Sequence, residues 1–445
     1  EVLVVGPGRT PGHGVFCGVH ELKPGWWLLF ERDVASSAGP GPRPVRGRLR
    51  TLPYWSLQSH PHLDDLETTV ATVRELLADS VQRQLVSDVP VCTLLSGGID
   101  SSGVTALAAE AFRRRAMPPV RTFSVDYTGS EEHFRPSEFQ PNADGPWVQR
   151  VSRYLGTDHR RVVIDTQALA EALDSAVRAR DLPGMADVDS SLLLFSREIK
   201  REATVALSGE CADEVFGGYP WFRREEDLNA DTFPWTRMAE VRIRLLAPEI
   251  AAAIRRAGYL DRRYREALDE VPRLPGEPPR EARLREIAYL SLTRFMPTLL
   301  DRKDRMSMAV GLEVRVPYCD HRLVEYVWNV PWWMKFCDGR EKGLLRRALA
   351  GVLPEDVLAR RKSPYPKTHN PAYAEAVRRR LRDILADPES PLLRLVDVAA
   401  VRHLVDGGVD AVQVPWYGQL MTGPQLMAYL VQVNTWLREY RVTLR

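Results

Sequence analysis

The sequence predicts an α/β protein, a doubly wound parallel sheet followed by a largely helical C-terminal half. Two short apolar runs, residues 91–95 and 205–207, each break into a Ser-Gly turn, Ser96-Gly97-Gly98 and Ser208-Gly209, as strands do when they end in a loop. Strand-like and helical segments alternate from residue 91 to residue 207, the pattern of β-α-β units with helices on both faces of a parallel sheet. Beyond about Phe222 the strand signal fades, and residues 281–308 and 372–385 suit helices, interrupted by the stretch 272–280.

A chain of 445 residues exceeds the roughly 250–300 at which single cores stop growing, so two domains at least are expected. Residues 2–5 and 26–30 read as strands, punctuated by turns at Pro7-Gly8, Pro11-Gly12 and Pro24-Gly25, and are too few for a domain alone. Residues 39–44, Gly-Pro-Gly-Pro-Arg-Pro, can continue neither a helix nor a central strand and read as a linker. A boundary near residues 54–62 divides 1–60 from 61–445. After the N-cap Asp64-Asp65, the residues Val70, Val73, Leu76, Leu77, Val81 and Leu85 recur at helical spacing and predict a long amphipathic helix. The alternation that follows is strand 91–95, helix 105–112, strand 121–127, helix 147–154, strand 161–164, helix 192–200 and strand 204–207.

Composition excludes several classes. With 44% hydrophobic and 27% charged residues the chain is an ordinary globular protein, and no apolar run approaches the ~20 residues of a membrane span. A net charge of +2 offers no footprint for nucleic acid, and clusters such as Arg255-Arg256 and Arg378-Arg379-Arg380 read as solvated helix faces. Neither nucleic acid nor membrane is therefore an expected partner. The five cysteines lack any Cys-x-x-Cys spacing, which argues against a disulfide scaffold or a structural zinc site and fits a cytoplasmic location. The chain opens on Glu1 without the succession of a signal peptide and reads as a mature or truncated fragment.

The chemistry concentrates in Ser96-Gly97-Gly98-Ile99-Asp100-Ser101-Ser102. A strand breaking into this loop before a helix gathers free backbone N–H groups and a positive helix end around one volume, which is an anion site. Gly97 and Gly98 let the backbone curl closely around a phosphate, and the hydroxyls of Ser96, Ser101 and Ser102 add donors. The loop is not Gly-x-x-x-x-Gly-Lys-Ser/Thr, so γ-phosphate transfer of that kind is unsupported. Asp100 would repel phosphate unless a cation bridged them, and Mg²⁺ is the natural bridge. The plainer alternative is a Gly-rich turn with Asp100 capping the helix.

A second cluster, Ser208-Gly209-Glu210-Cys211-Ala212-Asp213-Glu214-Val215-Phe216-Gly217-Gly218-Tyr219, again follows a short strand. Asp213 can supply the second arm of a Mg²⁺ site, and Glu210 can orient or deprotonate an incoming amine. Its plainer alternative is an acidic helix start with capping carboxylates.

These two clusters, with Asp304-Arg305-Met306-Ser307-Met308 and Gly311-Leu312-Glu313-Val314-Arg315-Val316-Pro317 later in the chain, resemble the synthetase domain of asparagine synthetases in order and approximate spacing over residues 66–437. The resemblance implies an ATP pyrophosphatase fold and cleavage of ATP between its α- and β-phosphates, with ATP and Mg²⁺ bound. It places Leu94 and Val125 in the wall of the adenosine pocket and Ser208 and Gly209 after the second strand. Ser96, Gly97, Gly98, Asp100, Ser101 and Ser102 would hold the departing pyrophosphate, and Asp100 and Asp213 the metal. Glu210, Asp213 and Lys342 are the implied catalytic residues; Lys342 would stabilise charge on the reacting phosphate. Arg305 or Arg315 can clamp a carboxylate, while Arg315 can equally be structural.

The opening segment, Gly6 through Gly25, resembles only the tail of the glutaminase domain that precedes the synthetase in this family; that domain's nucleophile is a cysteine at the mature N-terminus, whereas this sequence begins with Glu1. Cys17 reads as a packing residue. Nitrogen then comes from free ammonia, from a separate glutaminase chain, or from a different amine, and a homodimer is compatible with the resemblance. Asp187-Val188-Asp189 stands where asparagine-forming members carry Arg-Ala-Ser, and residues 362–367 differ from their Ser-Asp-Gly-Val-Gly; Lys362 or Lys367 can compensate for the lost arginine. The leading expectation is adenylation of a carboxylate, foremost the β-carboxylate of aspartate, followed by transfer of ammonia. The alternatives are an internal amine nucleophile, as in β-lactam synthetases and lasso-peptide cyclases, and a nucleotide-binding regulator without turnover.

Overall fold

The computed structural model describes residues 2–32, 47–136, 140–236, 238–407, 412 and 415–443. The linker expected at residues 39–44 lies outside them. Strands β1 (Trp26–Arg32) and β2 (Gly47–Pro53) form an antiparallel hairpin on their own. The main sheet comprises β3 (Val91–Leu94), β4 (Arg121–Tyr127), β5 (Asp158–Ile164), β6 (Val205–Leu207) and β7 (Glu313–Arg315), all parallel, in the order β5-β4-β3-β6-β7. From β3 the chain steps outward through β4 to β5, then returns past β3 to lay down β6 and β7. The direction of winding therefore reverses between β3 and β6, and the crevice at their carboxyl ends is where ligands bind in open α/β sheets.

The connections run through helices, as parallel pairing requires. Helix α1 (Leu66–Gln84) starts where Asp65 Oδ1 accepts from Thr68 N at 2.8 Å, and it buries Val73, Leu77 and Val81. Helices α2 (Ile99–Arg114), α3 (Gly145–Leu155) and α4 (Asp187–Lys200) follow β3, β4 and β5. After β6 come α5 (Ala212–Phe216) and a helical insertion of about a hundred residues ending in α6 (Met296–Met308); after β7 come α7 (Gly343–Ala348), α8 (Pro371–Ala386) and α9 (Gly423–Glu439). Among the described residues no helix is long and apolar enough to cross a membrane.

Three differences from expectation have local causes. Residues 2–5 form turns rather than a strand: Val2, Val4 and Val5 are buried, but their carbonyls accept from Tyr429 Oη, Arg242 Nη2 and Thr236 Oγ1 of the C-terminal half instead of from a neighbouring strand. The β5 strand begins at Asp158, three residues before the apolar run, because its polar start pairs with β4 at the sheet edge. The helix expected over 281–308 is interrupted by a wide π turn, Ser291–Phe295, just before Pro297, which has no N–H to give the preceding turn.

Helix α9 is held by a capping box between Thr422 and Gln425, and Gln425 Nε2 also donates to Asp187 Oδ2 at 3.1 Å. Thr422→Ala should lower unfolding free energy by about 1 kcal/mol, read as a shift in the urea midpoint at unchanged slope.

Candidate active site

The loop after β3 is shaped by contacts that only its own residues allow. Gly97 has φ +71°, and a Cβ there would lie 2.6 Å from Trp147 Cβ. The Ser96 carbonyl accepts from Arg360 Nη1 at 2.9 Å; Arg360 also pairs with Asp144 at 2.6 Å and lies over the Trp147 ring. Ser101 Oγ accepts from Ser96 N at 3.1 Å and lies 3.0 Å from Ser96 Oγ, closing the loop onto the first turn of α2. The loop after β6 touches that same turn, since a Cβ on Gly209 would meet Ser101 N at 2.5 Å.

Where the two loops meet, Asp100 and Asp213 converge on one cation. Lys342 Nζ donates to Asp100 Oδ1 and Oδ2 at 2.8 and 2.7 Å and to Asp213 Oδ1 at 2.8 Å, with the lysine only 1% exposed. Lys342 itself sits at φ +54°, just before α7. Lys362 Nζ lies 3.2 Å from the other oxygen of Asp213, over the Tyr219 ring, and donates to Gln419 Oε1 at 3.0 Å.

Burial raises both carboxyls. At Asp213 the ammoniums of Lys342 and Lys362 outweigh it and hold the group below the ordinary range. Asp100 has one close ammonium and the charge of Asp213 beside it, so burial prevails there. Burial would lower Lys342, but the two carboxylates outweigh it and keep it an ammonium. Glu214 differs: burial and the charge of Asp213 push it to about 8, so it is protonated at neutral pH, hydrogen-bonded to Tyr219 Oη at 2.7 Å.

The crevice above holds a cavity of about 680 Å³. Leu94, Ser96, Asp100, Ser101, Val125, Ser208, Gly209, Glu210 and Asp213 all line it, so the structure brings together residues from both clusters. Gly97 and Gly98 shape the turn from behind, Ser102 is buried inside α2, and Lys342 lies beneath the two carboxylates. Two carboxylates converging within 3 Å of a single positive charge are a donor set suited to Mg²⁺ with phosphate oxygens and water as the remaining ligands. No group of three metal-ligating side chains occurs among the described residues.

Other expectations are corrected. Arg305 is largely exposed and pairs with Asp181 and Asp301 at 3.3 and 3.6 Å, outside the cavity. Arg315, by contrast, takes the structural role already expected of it, its Nη1 donating to the carbonyls of Gln84 and Val86 where α1 ends. Cys17 is exposed, not packed. Lys362 serves Asp213, while Lys367 lies near Asp187 with Nζ 3.5 Å from the Leu420 carbonyl. Sequence reasoning missed Arg360, Arg302 and Lys303, whose partners Asp144, Asp189 and Glu210 lie far away in the chain, so that no local signal marked them. Arg360→Met should loosen the Ser96 loop and raise KM for ATP several-fold, measured by initial rates against ATP concentration.

A parallel sheet with a Ser-Gly-Gly loop at its switch point, two facing carboxylates and a buried lysine between them makes a doubly wound α/β protein with a candidate anion site at the strand ends. The asparagine synthase family model matches residues 72–438, and the chain belongs to that family. It is 48% identical over 442 residues to glutamine-hydrolyzing asparagine synthetase 3 of Bacillus subtilis, covering 99% of this chain and 69% of that protein. Asparagine synthetase 1 of the same organism is 29% identical over 70% of this chain and 52% of its own length. Amidase chyE of Penicillium rubens is 26% identical over 89% and 66%. Likeness to solved structures is slight; an NMN synthetase from Francisella tularensis gives a TM-score of 0.24 at 12% identity, covering 57% of this chain and 99% of that one.

Proposed function

We propose that the chain is an ATP-dependent ligase that adenylates the β-carboxylate of aspartate, releases pyrophosphate, and transfers ammonia to give asparagine and AMP. The convergence of Asp100 and Asp213 on Lys342 at the switch point is the observation that carries this reading. An oxygen of the substrate carboxylate attacks the α-phosphorus of ATP as the bond to the β-phosphate breaks. The N–H groups at the start of α2 and the Ser96 and Ser101 hydroxyls receive the departing pyrophosphate, while Ser102, buried inside α2, does not reach it. Lys342 lies beneath and offsets negative charge as it builds on the transferred phosphorus. Leu94 and Val125 flank the adenosine, and Ser208 and Gly209 border the α-phosphate. Glu210 takes a proton from the attacking nitrogen.

Mg²⁺ fits Asp100 and Asp213, and when bound it neutralises phosphate charge. With both carboxylates so engaged, the Lys342 ammonium would be available to the reacting phosphate. The division at residue 60 is part of the proposal, supported by the separate β1–β2 hairpin. So is the nitrogen source, free ammonia or a glutaminase-type activity, since the chain spans 69% and 52% of the two Bacillus subtilis relatives. A cytoplasmic setting is supported by five free cysteines.

Incubation with ATP, Mg²⁺, aspartate and ammonium should give equal amounts of pyrophosphate and asparagine by mass spectrometry. Pyrophosphate release indifferent to aspartate would overturn the choice of acyl substrate.

A further inference from the structure

We propose that Lys303 is a positioning residue for the amine-transfer step, fixing the Glu210 carboxylate in the cavity so that it receives the proton of the incoming nucleophile. The inference rests on the reading of Glu210 given above. Lys303 and its neighbour Arg302 belong to α6, are 4% and 3% exposed, and both line the cavity. Lys303 Nζ lies 3.2 Å from Glu210 Oε1, and among the described residues no other carboxylate pairs with it.

Arg302 cannot do the same work. Its Nε lies 3.4 Å from Asp189 Oδ1, its guanidinium lies over the Tyr365 ring, and its own approach to Glu210 Oε1 is a longer 3.8 Å. The ammonium of Lys303 is thus dedicated to Glu210. Burying an ammonium is costly unless its partner is well placed, so the pair is retained against a desolvation penalty. Burial does weaken the hold of Lys303 on its proton, an effect that the charge of Glu210 opposes.

The carboxylate is held at one end only. Oε1 is ion-paired, whereas Oε2 is buried without any hydrogen-bond partner, an arrangement that buried polar atoms rarely keep without a functional reason. Glu210 is therefore anchored yet retains accepting capacity at a cavity wall. In the transfer, the lone pair of ammonia attacks the acyl carbon and the bond from that carbon to the phosphate oxygen breaks. The electron pair leaves with AMP, and one proton passes from nitrogen to the Glu210 carboxylate. Without Lys303, Glu210 is free to turn, and the acyl-adenylate is left to water.

The test compares two nucleophiles in the same protein. Both nitrogens must shed a proton once joined to the acyl carbon. Hydroxylamine is the stronger nucleophile, however, and its adduct, the more acidic of the two, gives that proton to water, so it traps acyl-adenylates without a positioned base. With ATP, Mg²⁺ and aspartate, Lys303→Met should lower the ratio of amide to hydroxamate about 10-fold or more relative to wild type. Lys303→Arg should bring that ratio back to within about 3-fold. A ratio in Lys303→Met equal to wild type overturns the inference, because general damage lowers both products alike. Failure of Lys303→Arg to restore it overturns it too. If Lys303→Met does not accumulate folded, Lys303→Gln is held to the same threshold. Wild-type protein that forms hydroxamate but no amide would remove the amine-transfer reading of Glu210, and Lys303 with it; active wild type with an unmoved variant ratio removes Lys303 alone.

Discussion

Lys342→Ala should reduce aspartate-dependent pyrophosphate release by about 100- to 1000-fold, the loss typical of deleting a preorganised charge from a transition state. The same substitution should destabilise the metal-free protein by about 3 kcal/mol, because it leaves Asp100 and Asp213 facing each other across a buried site with no cation between them. Lys362 reaches only the far oxygen of Asp213 and cannot cover Asp100. Urea unfolding separates the two effects. Millimolar Mg²⁺ should return part of the lost stability to Lys342→Ala, since a divalent ion takes the place of the ammonium, while turnover stays low. A variant that unfolds at the wild-type midpoint without Mg²⁺ would show that the three groups do not share charge as the geometry requires.

Gly209→Ala should be nearly as damaging without removing any functional group. Its Cβ would stand 2.5 Å from Ser101 N and 2.7 Å from Asp100 C. Both are backbone atoms of the first turn of α2, so no side-chain rotation relieves the clash. The α2 start and the β6 loop must separate, carrying Asp100 and the Ser96 loop away from Asp213. Overpacking of this kind costs about 1–3 kcal/mol, and a misplacement of about 1 Å at a reacting centre costs about 100-fold in rate. The expected signature is a large fall in kcat for pyrophosphate release with a modest fall in melting temperature. Wild-type kcat would mean that the loops tolerate separation and that their close approach is incidental to the chemistry.

β3 and β6 were legible because they are short apolar runs ending in glycine turns, and β4 matched its expected limits at Arg121 and Tyr127, whereas β7, with a charged residue at each end, carried no strand signal. The two loops were legible for the same reason: a Ser-Gly turn and its carboxylates are neighbours in sequence as well as in space. Lys342 was not legible on its own. Its partners lie 242 and 129 residues away, so nothing local distinguishes it from a solvated lysine, and only the resemblance singled it out. Arg360, 264 residues from the Ser96 carbonyl it holds, and Lys303 were missed on the same ground. Residues 2–5 failed differently. Their apolar character, read as a strand, reflects burial against the C-terminal half, and pattern alone does not say whether the covering partner is a strand or a helix.

That burial sets a timetable. The Val2 carbonyl is hydrogen-bonded to Tyr429, 427 residues further along the chain. A ribosome adding about 5–20 residues per second needs about 20 to 90 s to reach that tyrosine after Val2 has been made. Throughout that interval Val2, Val4 and Val5 have no α9 to cover them, although the β3–β6 units can already pair. Val2 is thus among the last of the described residues to settle, and closure of the core around it awaits the synthesis of α9.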